Sequence, residues 1–171
     1  NVKVSAIYGN FDDAQSFLKR VFTSAEVNAY ANDQGVLFSS ANSINIGRLF
    51  PQVAYYVSTY VSLVDNGAIS EGEVFDVIVP TGNFGNILAG YFAKKMGIPI
   101  GKLICASNQN KVLADFFETG VYDMNRDFYT TSSPSMDILL SSNFERFLFY
   151  VAKEDAAKVA QWEKDLLETG K

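Results

Sequence analysis

Val74-Phe75-Asp76-Val77-Ile78-Val79-Pro80-Thr81-Gly82-Asn83-Phe84-Gly85-Asn86-Ile87-Leu88 is the stretch on which the fold turns. Residues 74–79 form a short apolar run rich in β-branched side chains, which predicts a strongly buried strand. Residues 80–86 break it with proline, glycine and asparagine. A helical face follows, made of Ile87, Leu88, Tyr91 and Phe92, and it stops at Gly97-Ile98-Pro99. Residues 102–106 read as the next strand. Strand, helix and strand in that order predict a parallel sheet with helices on its faces, an α/β fold.

On the N-terminal side the pattern continues. Residues 2–8 alternate and predict another strand. Phe11, Ala14, Leu18, Val21 and Phe22 share one face of a helix, with Asp12 and Asp13 as its cap and first-turn acids. Residues 25–35 read as polar and irregular, and 36–38 as a short strand. The most apolar stretch is 44–64. Asn45, Arg48, Gln52, Ser58, Thr59 and Ser62 interrupt it, which argues against a membrane span. Val53, Tyr56, Val57, Tyr60, Val61 and Val64 recur at helical spacing instead. Pro51 suits a first turn, or kinks a longer helix that begins nearer Asn42. On the C-terminal side, 111–118 predict a helix closed by Gly120. Residues 122–137 read as loop, and 143–151 and 154–168 as helices. There are no repeats or low-complexity linkers, so 1–171 reads as one domain or part of one.

Composition narrows the function. A chain of 171 residues can bury a sizeable core, and 48% hydrophobic with 19% charged residues is ordinary for a globular protein. A net charge of -5 without a basic run speaks against nucleic acid as a partner. There is no histidine, which removes the commonest metal ligand and the commonest general base. No metal site is expected. The single cysteine, Cys105, excludes an internal disulfide and fits a reducing, cytoplasmic compartment. It reads as a core filler. The chain starts at Asn1, directly in an apolar alternating stretch, which suggests an excised fragment or a processed precursor.

Two segments have the residue types for anion binding. Gly82, Asn83, Phe84, Gly85 and Asn86 lie between a strand and a helix, where open parallel sheets bind ligands and helix N–H groups attract phosphate. Gly82 and Gly85 let the chain turn and let an anion approach the backbone, and both asparagines can donate side-chain N–H. The same residues serve equally as a tight strand-to-helix turn with no ligand. The second segment is Ser39-Ser40-Ala41-Asn42-Ser43-Ile44-Asn45, followed by Arg48. Its hydroxyls, amides and guanidinium suit a phosphate. On pattern alone, a polar helix cap with a solvated arginine is the simpler reading.

The motifs together resemble a known family. Ser40-Ala41-Asn42-Ser43-Ile44-Asn45-Ile46-Gly47-Arg48 is similar to the Ser-Ala-Asn-Ser-Ile-Asn segment of threonine synthases. Residues 79–90 look like their Val-Pro-(Ser/Thr)-Gly-Asn-Phe-Gly loop, and 105–110 resemble their Ala-Thr-Asn-x-Asn strand end. Thr131-Ser132-Ser133-Pro134-Ser135-Met136-Asp137-Ile138 and Ser142-Asn143-Phe144-Glu145-Arg146 resemble a further shared stretch. These fall in the family's order.

The resemblance implies part of a fold-type-II pyridoxal-phosphate enzyme that converts O-phosphohomoserine and water into threonine and phosphate. It implies that Gly82, Asn83, Phe84, Gly85 and Asn86 cradle the phosphate of pyridoxal 5'-phosphate. It implies that Asn42, Ser43 and Arg48 hold the phosphate of the small-molecule substrate. The family's Schiff-base lysine sits in a Phe-Lys-Asp segment that no lysine here matches, so the fragment alone is expected to be inactive. The alternative is a non-catalytic α/β module that captures an anion.

Overall fold

A computed structural model of the chain describes residues 3–9 and 11–171, without the side chains of 11 and 12. The elements are α1 (Phe11–Thr23), α2 (Ala25–Asp33), α3 (Ile46–Leu49), α4 (Val53–Asp65), β1 (Phe75–Pro80), α5 (Gly85–Lys95), β2 (Ile100–Ala106), α6 (Val112–Thr119), α7 (Phe144–Val151) and α8 (Ala156–Thr169). β1 and β2 pair in parallel, with Val77 opposite Leu103 and Val79 opposite Cys105. The register shifts between Phe75 and Val77, and there Asp76 Oδ1 accepts the Lys102 N–H at 2.7 Å. α5 is the crossover. Leu88, Ala89 and Ala93 on it are fully buried among Leu49, Tyr56, Val79 and Ile100. It therefore packs between α4 and the strand pair.

Gly90 makes that packing close. A Cβ there would lie 2.7 Å from the Tyr56 ring and 3.0 Å from Leu103 Cδ2. The apolar run at 44–64 resolves into α3 and α4 joined by a 3-10 turn at Phe50–Gln52, which contains Pro51. The helix thus begins at Ile46, capped by Asn45, whose Oδ1 accepts the Gly47 N–H at 2.9 Å. Val53 and Tyr56 are buried, whereas Val61 is 48% exposed. No helix among the described residues is long and apolar enough to cross a membrane.

Several sequence expectations need correction. Residues 3–8 and 36–38 form no strand; Val2 lies outside the described residues. Alternation favours a pleat, but a strand exists only when a neighbour pairs its backbone, and neither segment has one among the described residues. The Val36 N–H bonds back to Ala31 O at the end of α2 instead. β1 is buried on one face rather than both, with Ile78 67% exposed. Residues 25–33, expected to be irregular, form α2, capped by the Ser24 hydroxyl on the Val27 N–H. That helix buries only Ala31, so it leaves no apolar period to read. α1 starts at Phe11, which puts Asp13 inside its first turn rather than at the cap position; the side chain of Asp12 lies outside the described residues. Leu18, expected to be covered, is 49% exposed.

A polar knot ties the end of β2 to the loop before α7. Asp137 is buried and accepts from Asn108 Nδ2 (2.7 Å), Thr131 N–H (2.7 Å) and Thr131 Oγ1 (2.7 Å). Asn110 Nδ2 donates to Tyr129 O at 2.7 Å. Burial opposes the Asp137 charge, but the donors from Thr131, Asn108 and Asn110 outweigh it and hold the carboxyl below its ordinary range.

Two stability predictions follow from these contacts. In the full-length protein, Gly90→Ala should lower stability by about 1–3 kcal/mol, because the methyl overpacks the Tyr56 ring; denaturant midpoints measure it. The Asp137 contribution is complete above the unfolded-state pKa of about 3.9 and is lost as pH falls through the lowered native value. Asp137→Asn turns an amide N–H2 toward the Thr131 N–H, so it should destabilise at pH 7. The gap to wild type should narrow in acid, read from denaturant midpoints between neutral pH and pH of about 2.

Candidate functional site

After β1, Thr81 adds one more ladder bond, its N–H donating to Ala106 O at 2.8 Å. The chain then turns into α5 at Phe84, whose φ of 63° lies in the left-handed region. An L side chain enters that region at a cost of about 1–2 kcal/mol. The Phe84 ring is 3% exposed, with its centroid 5.1 Å from Phe144, 5.4 Å from Phe147 and 6.2 Å from Phe117. Burying such a ring contributes about 1.5–3 kcal/mol, and each aromatic pair about 0.5–1.5 more, so packing outweighs strain. Neither Gly82 nor Gly85 has positive φ. The expectation that glycine makes this turn is therefore corrected; the left-handed residue is Phe84. Gly85 is needed for a neighbour, since a Cβ there would lie 3.0 Å from Ser43 Cβ and 3.1 Å from Ser43 Oγ.

The backbone N–H groups of Gly82, Asn83, Phe84, Gly85, Asn86 and Ile87 have no acceptor among the described residues. Helix geometry accounts for the last four, since Phe84 is the N-cap and the first intrahelical bond is the Leu88 N–H to Phe84 O. It does not account for Gly82 and Asn83, and Gly82 is buried. Buried N–H groups are almost always paired, so this run fits a ligand oxyanion. Both loop asparagines have their amide oxygen engaged. Asn83 Oδ1 accepts the Ser142 hydroxyl at 3.1 Å, and Asn86 Oδ1 lies 2.5 Å from the Tyr56 hydroxyl. Their N–H2 groups are thereby left as donors. Burial pushes the Tyr56 phenol up to about 12, so it stays a neutral donor.

The Ser39–Asn45 segment stands directly against this loop. Ser43 meets Gly85, as above, and its hydroxyl donates to Asn42 Oδ1 at 3.0 Å. Asn42 Nδ2 then has no acceptor among the described residues. Arg48 lies one helical turn on in α3. It is exposed, and its guanidinium has no partner among the described residues. Gln15 of α1 is buried, its Nε2 has no partner among the described residues, and it lines a cavity of about 450 Å³ together with Ser40, Asn42 and Asn45. Cys105 stays a thiol. Burial pushes it up, with hydrogen bonds to Thr81 and Ser107 acting against that rise.

A third segment joins the two loops. Asn143 is fully buried; its Nδ2 donates to Asn83 O (2.9 Å) and Ser43 Oγ (3.1 Å), and its backbone N–H also reaches Asn83 O (3.1 Å). Its Oδ1 accepts from Arg146 Nη1 at 2.7 Å. Arg146 also donates to Ser43 O (3.1 Å) and Ile44 O (2.6 Å). Ser141 Oγ donates to Gly82 O at 2.9 Å. The sequence marked 142–146 as a family stretch without assigning it a role. Polar Asn143 and Arg146, three apart among phenylalanines, were the signal available.

No family model matches the chain. It is similar to threonine synthase-like 1 of Homo sapiens, 53% identical over 151 residues, covering 87% of this chain and 20% of that protein. It is similar to threonine synthase of Saccharomyces cerevisiae, 41% identical over 180 residues, covering 100% of this chain and 34% of that one. Its fold matches the crystal structure of a PLP-bound threonine synthase from Brucella melitensis with a TM-score of 0.77 and 44% identity, over 95% of this chain and 32% of that one. The chain thus spans between 20% and 34% of the length of these relatives. By sequence and by fold it is similar to threonine synthases along nearly all of its own length.

Proposed function

We propose that this chain is the phosphate-binding part of a threonine synthase, and that the whole protein converts O-phosphohomoserine and water into threonine and phosphate using pyridoxal 5'-phosphate. The observation that carries this reading is the run of N–H groups from Gly82 to Ile87 without an acceptor among the described residues, in the loop whose sequence resembles the family's phosphate cradle. The likeness to a PLP-bound threonine synthase supports it. When bound, the cofactor supplies an electron sink for carbanions, as in other fold-type-II enzymes.

The roles assigned to this chain are binding and orientation. Gly82, Asn83, Phe84, Gly85 and Asn86 hold the cofactor phosphate through backbone N–H and the two amide N–H2 groups. Asn42 and Arg48 hold the substrate phosphate, and Ser43 orients Asn42 by occupying its amide oxygen. The guanidinium suits two phosphate oxygens at once. No lysine here stands in a Phe-Lys-Asp context, so the covalent attachment falls to another part of the protein and this chain alone does no chemistry. The low cysteine content supports a cytoplasmic setting.

A coupled phosphate-release assay tests the reading. The full-length protein should release phosphate and threonine together from O-phosphohomoserine, and the 171-residue chain should release neither. Anion binding without turnover by the full-length protein would favour the simple capture module instead. In the active protein, Arg48→Ala should lower kcat/KM for O-phosphohomoserine about tenfold to a hundredfold, the loss of one charge-assisted contact. The cofactor absorbance should survive. Loss of cofactor with substrate affinity intact would show that Arg48 has been given the wrong role.

A further inference from the structure

We infer that Ser141, Asn143 and Arg146 form a carbonyl clip that aims the N–H donors of both anion-binding loops, which makes them positioning residues for the reaction. The inference rests on the function proposed above and deepens it.

A trans peptide is planar, and its C=O and the following N–H point in opposite directions. Whatever captures a carbonyl therefore also sets the direction of the next N–H. Ser141 Oγ captures Gly82 O, so the Asn83 N–H points away from Ser141. Asn143 captures Asn83 O twice, through Nδ2 and its own N–H, so the Phe84 N–H points away from Asn143. Arg146 captures Ser43 O, which turns the Ile44 N–H away from the guanidinium. None of these three N–H groups has an acceptor among the described residues. Where Arg146 captures Ile44 O, the opposing Asn45 N–H is already used on Asn42 O. The clip thus leaves donors free at three peptides and closes a turn at the fourth.

Asn143 links the two loops, because the amide that holds Asn83 O also donates to Ser43 Oγ. Arg146 holds Asn143 in turn through Oδ1. Among the described residues the guanidinium has no carboxylate partner, so its hydrogen bonds go to two carbonyls and one amide. A planar fork suits this arrangement, whereas a lysine ammonium does not reproduce it. The spacing between the two proposed phosphate sites is then set by side chains that belong to neither set of proposed phosphate donors.

The test uses the full-length protein freed of cofactor. Pyridoxal 5'-phosphate and pyridoxal, which lacks the phosphate, are titrated into wild type, Ser141→Ala and Asn143→Asp, with absorbance as the readout. Misdirected donors should weaken pyridoxal 5'-phosphate about tenfold to a hundredfold and leave pyridoxal within about twofold. Equal weakening of both ligands, or no weakening, would overturn the inference. Ser141→Ala removes one hydroxyl and keeps the test decisive if Asn143→Asp fails to fold. Arg146→Lys should raise KM for O-phosphohomoserine more than it lowers kcat, with the preference for pyridoxal 5'-phosphate over pyridoxal kept. A fall in kcat alone would remove Arg146 from the clip. Wild type that binds neither compound would sink the proposed function itself, before any variant is compared.

Discussion

The buried ring of Phe84 is the contact on which the rest of the site depends. A glycine at the same position would enter the left-handed region more easily, but it would leave the turn free to leave again. A phenylalanine held among Phe144, Phe147 and Phe117 cannot leave without exposing its ring. The strain is about 1–2 kcal/mol and the burial about 1.5–3 kcal/mol before the aromatic pairs are added. The left-handed turn is thus bound to the packing of α6 and α7. Those helices place Asn143 and Arg146 against the neighbouring carbonyls. One hydrophobic contact therefore sets the backbone path and brings in the polar groups that aim it.

The donors so arranged are mostly backbone groups. They do not titrate, they lose no rotamer entropy on binding, and their direction is set before a ligand arrives. Preorganisation of this kind is where binding energy is gained most cheaply. It also explains the buried Asn143. A polar amide with no solvent exposure is tolerable only when its groups are paired, and both its oxygen and its nitrogen are. Removing it would take one of two donors from Asn83 O, leave Ser43 Oγ with only its bond to Asn42, and strand part of the Arg146 guanidinium, a buried unpaired group costing about 1–3 kcal/mol.

Packing is uneven along the chain. The segment from α3 to α7 surrounds the loops and holds most of the buried cluster. Before it, Val4 is 91% exposed and Leu37 86%, and α2 buries a single alanine. The Ser39–Asn45 segment lies at the join. Its cavity beside Gln15 is on the loosely packed side, while Ser43 and Ile44 are fastened to Asn143 and Arg146 on the dense side.

What could be read from the sequence follows the same division. β1, α5 and β2 were legible because strand, glycine-rich turn and helix each leave a local pattern, and burial reinforced it. The strands expected at 3–8 and 36–38 failed because alternation encodes a face and says nothing about whether a partner strand is present. α2 was missed for the converse reason: a helix that buries one residue has no period. At the site, residue types pointed to two loops that the fold brings into contact, but the glycines were credited with a turn that Phe84 makes. A left-handed phenylalanine is invisible locally, since the contacts that hold it come from residues 117, 144 and 147. The clip was harder still. Its targets are carbonyls, which every residue carries, so no side chain at 43, 44, 82 or 83 announces that its backbone is held. Only the polar side of each bond, Ser141, Asn143 and Arg146, stands in the sequence, and what those residues do is decided by the peptide planes they turn.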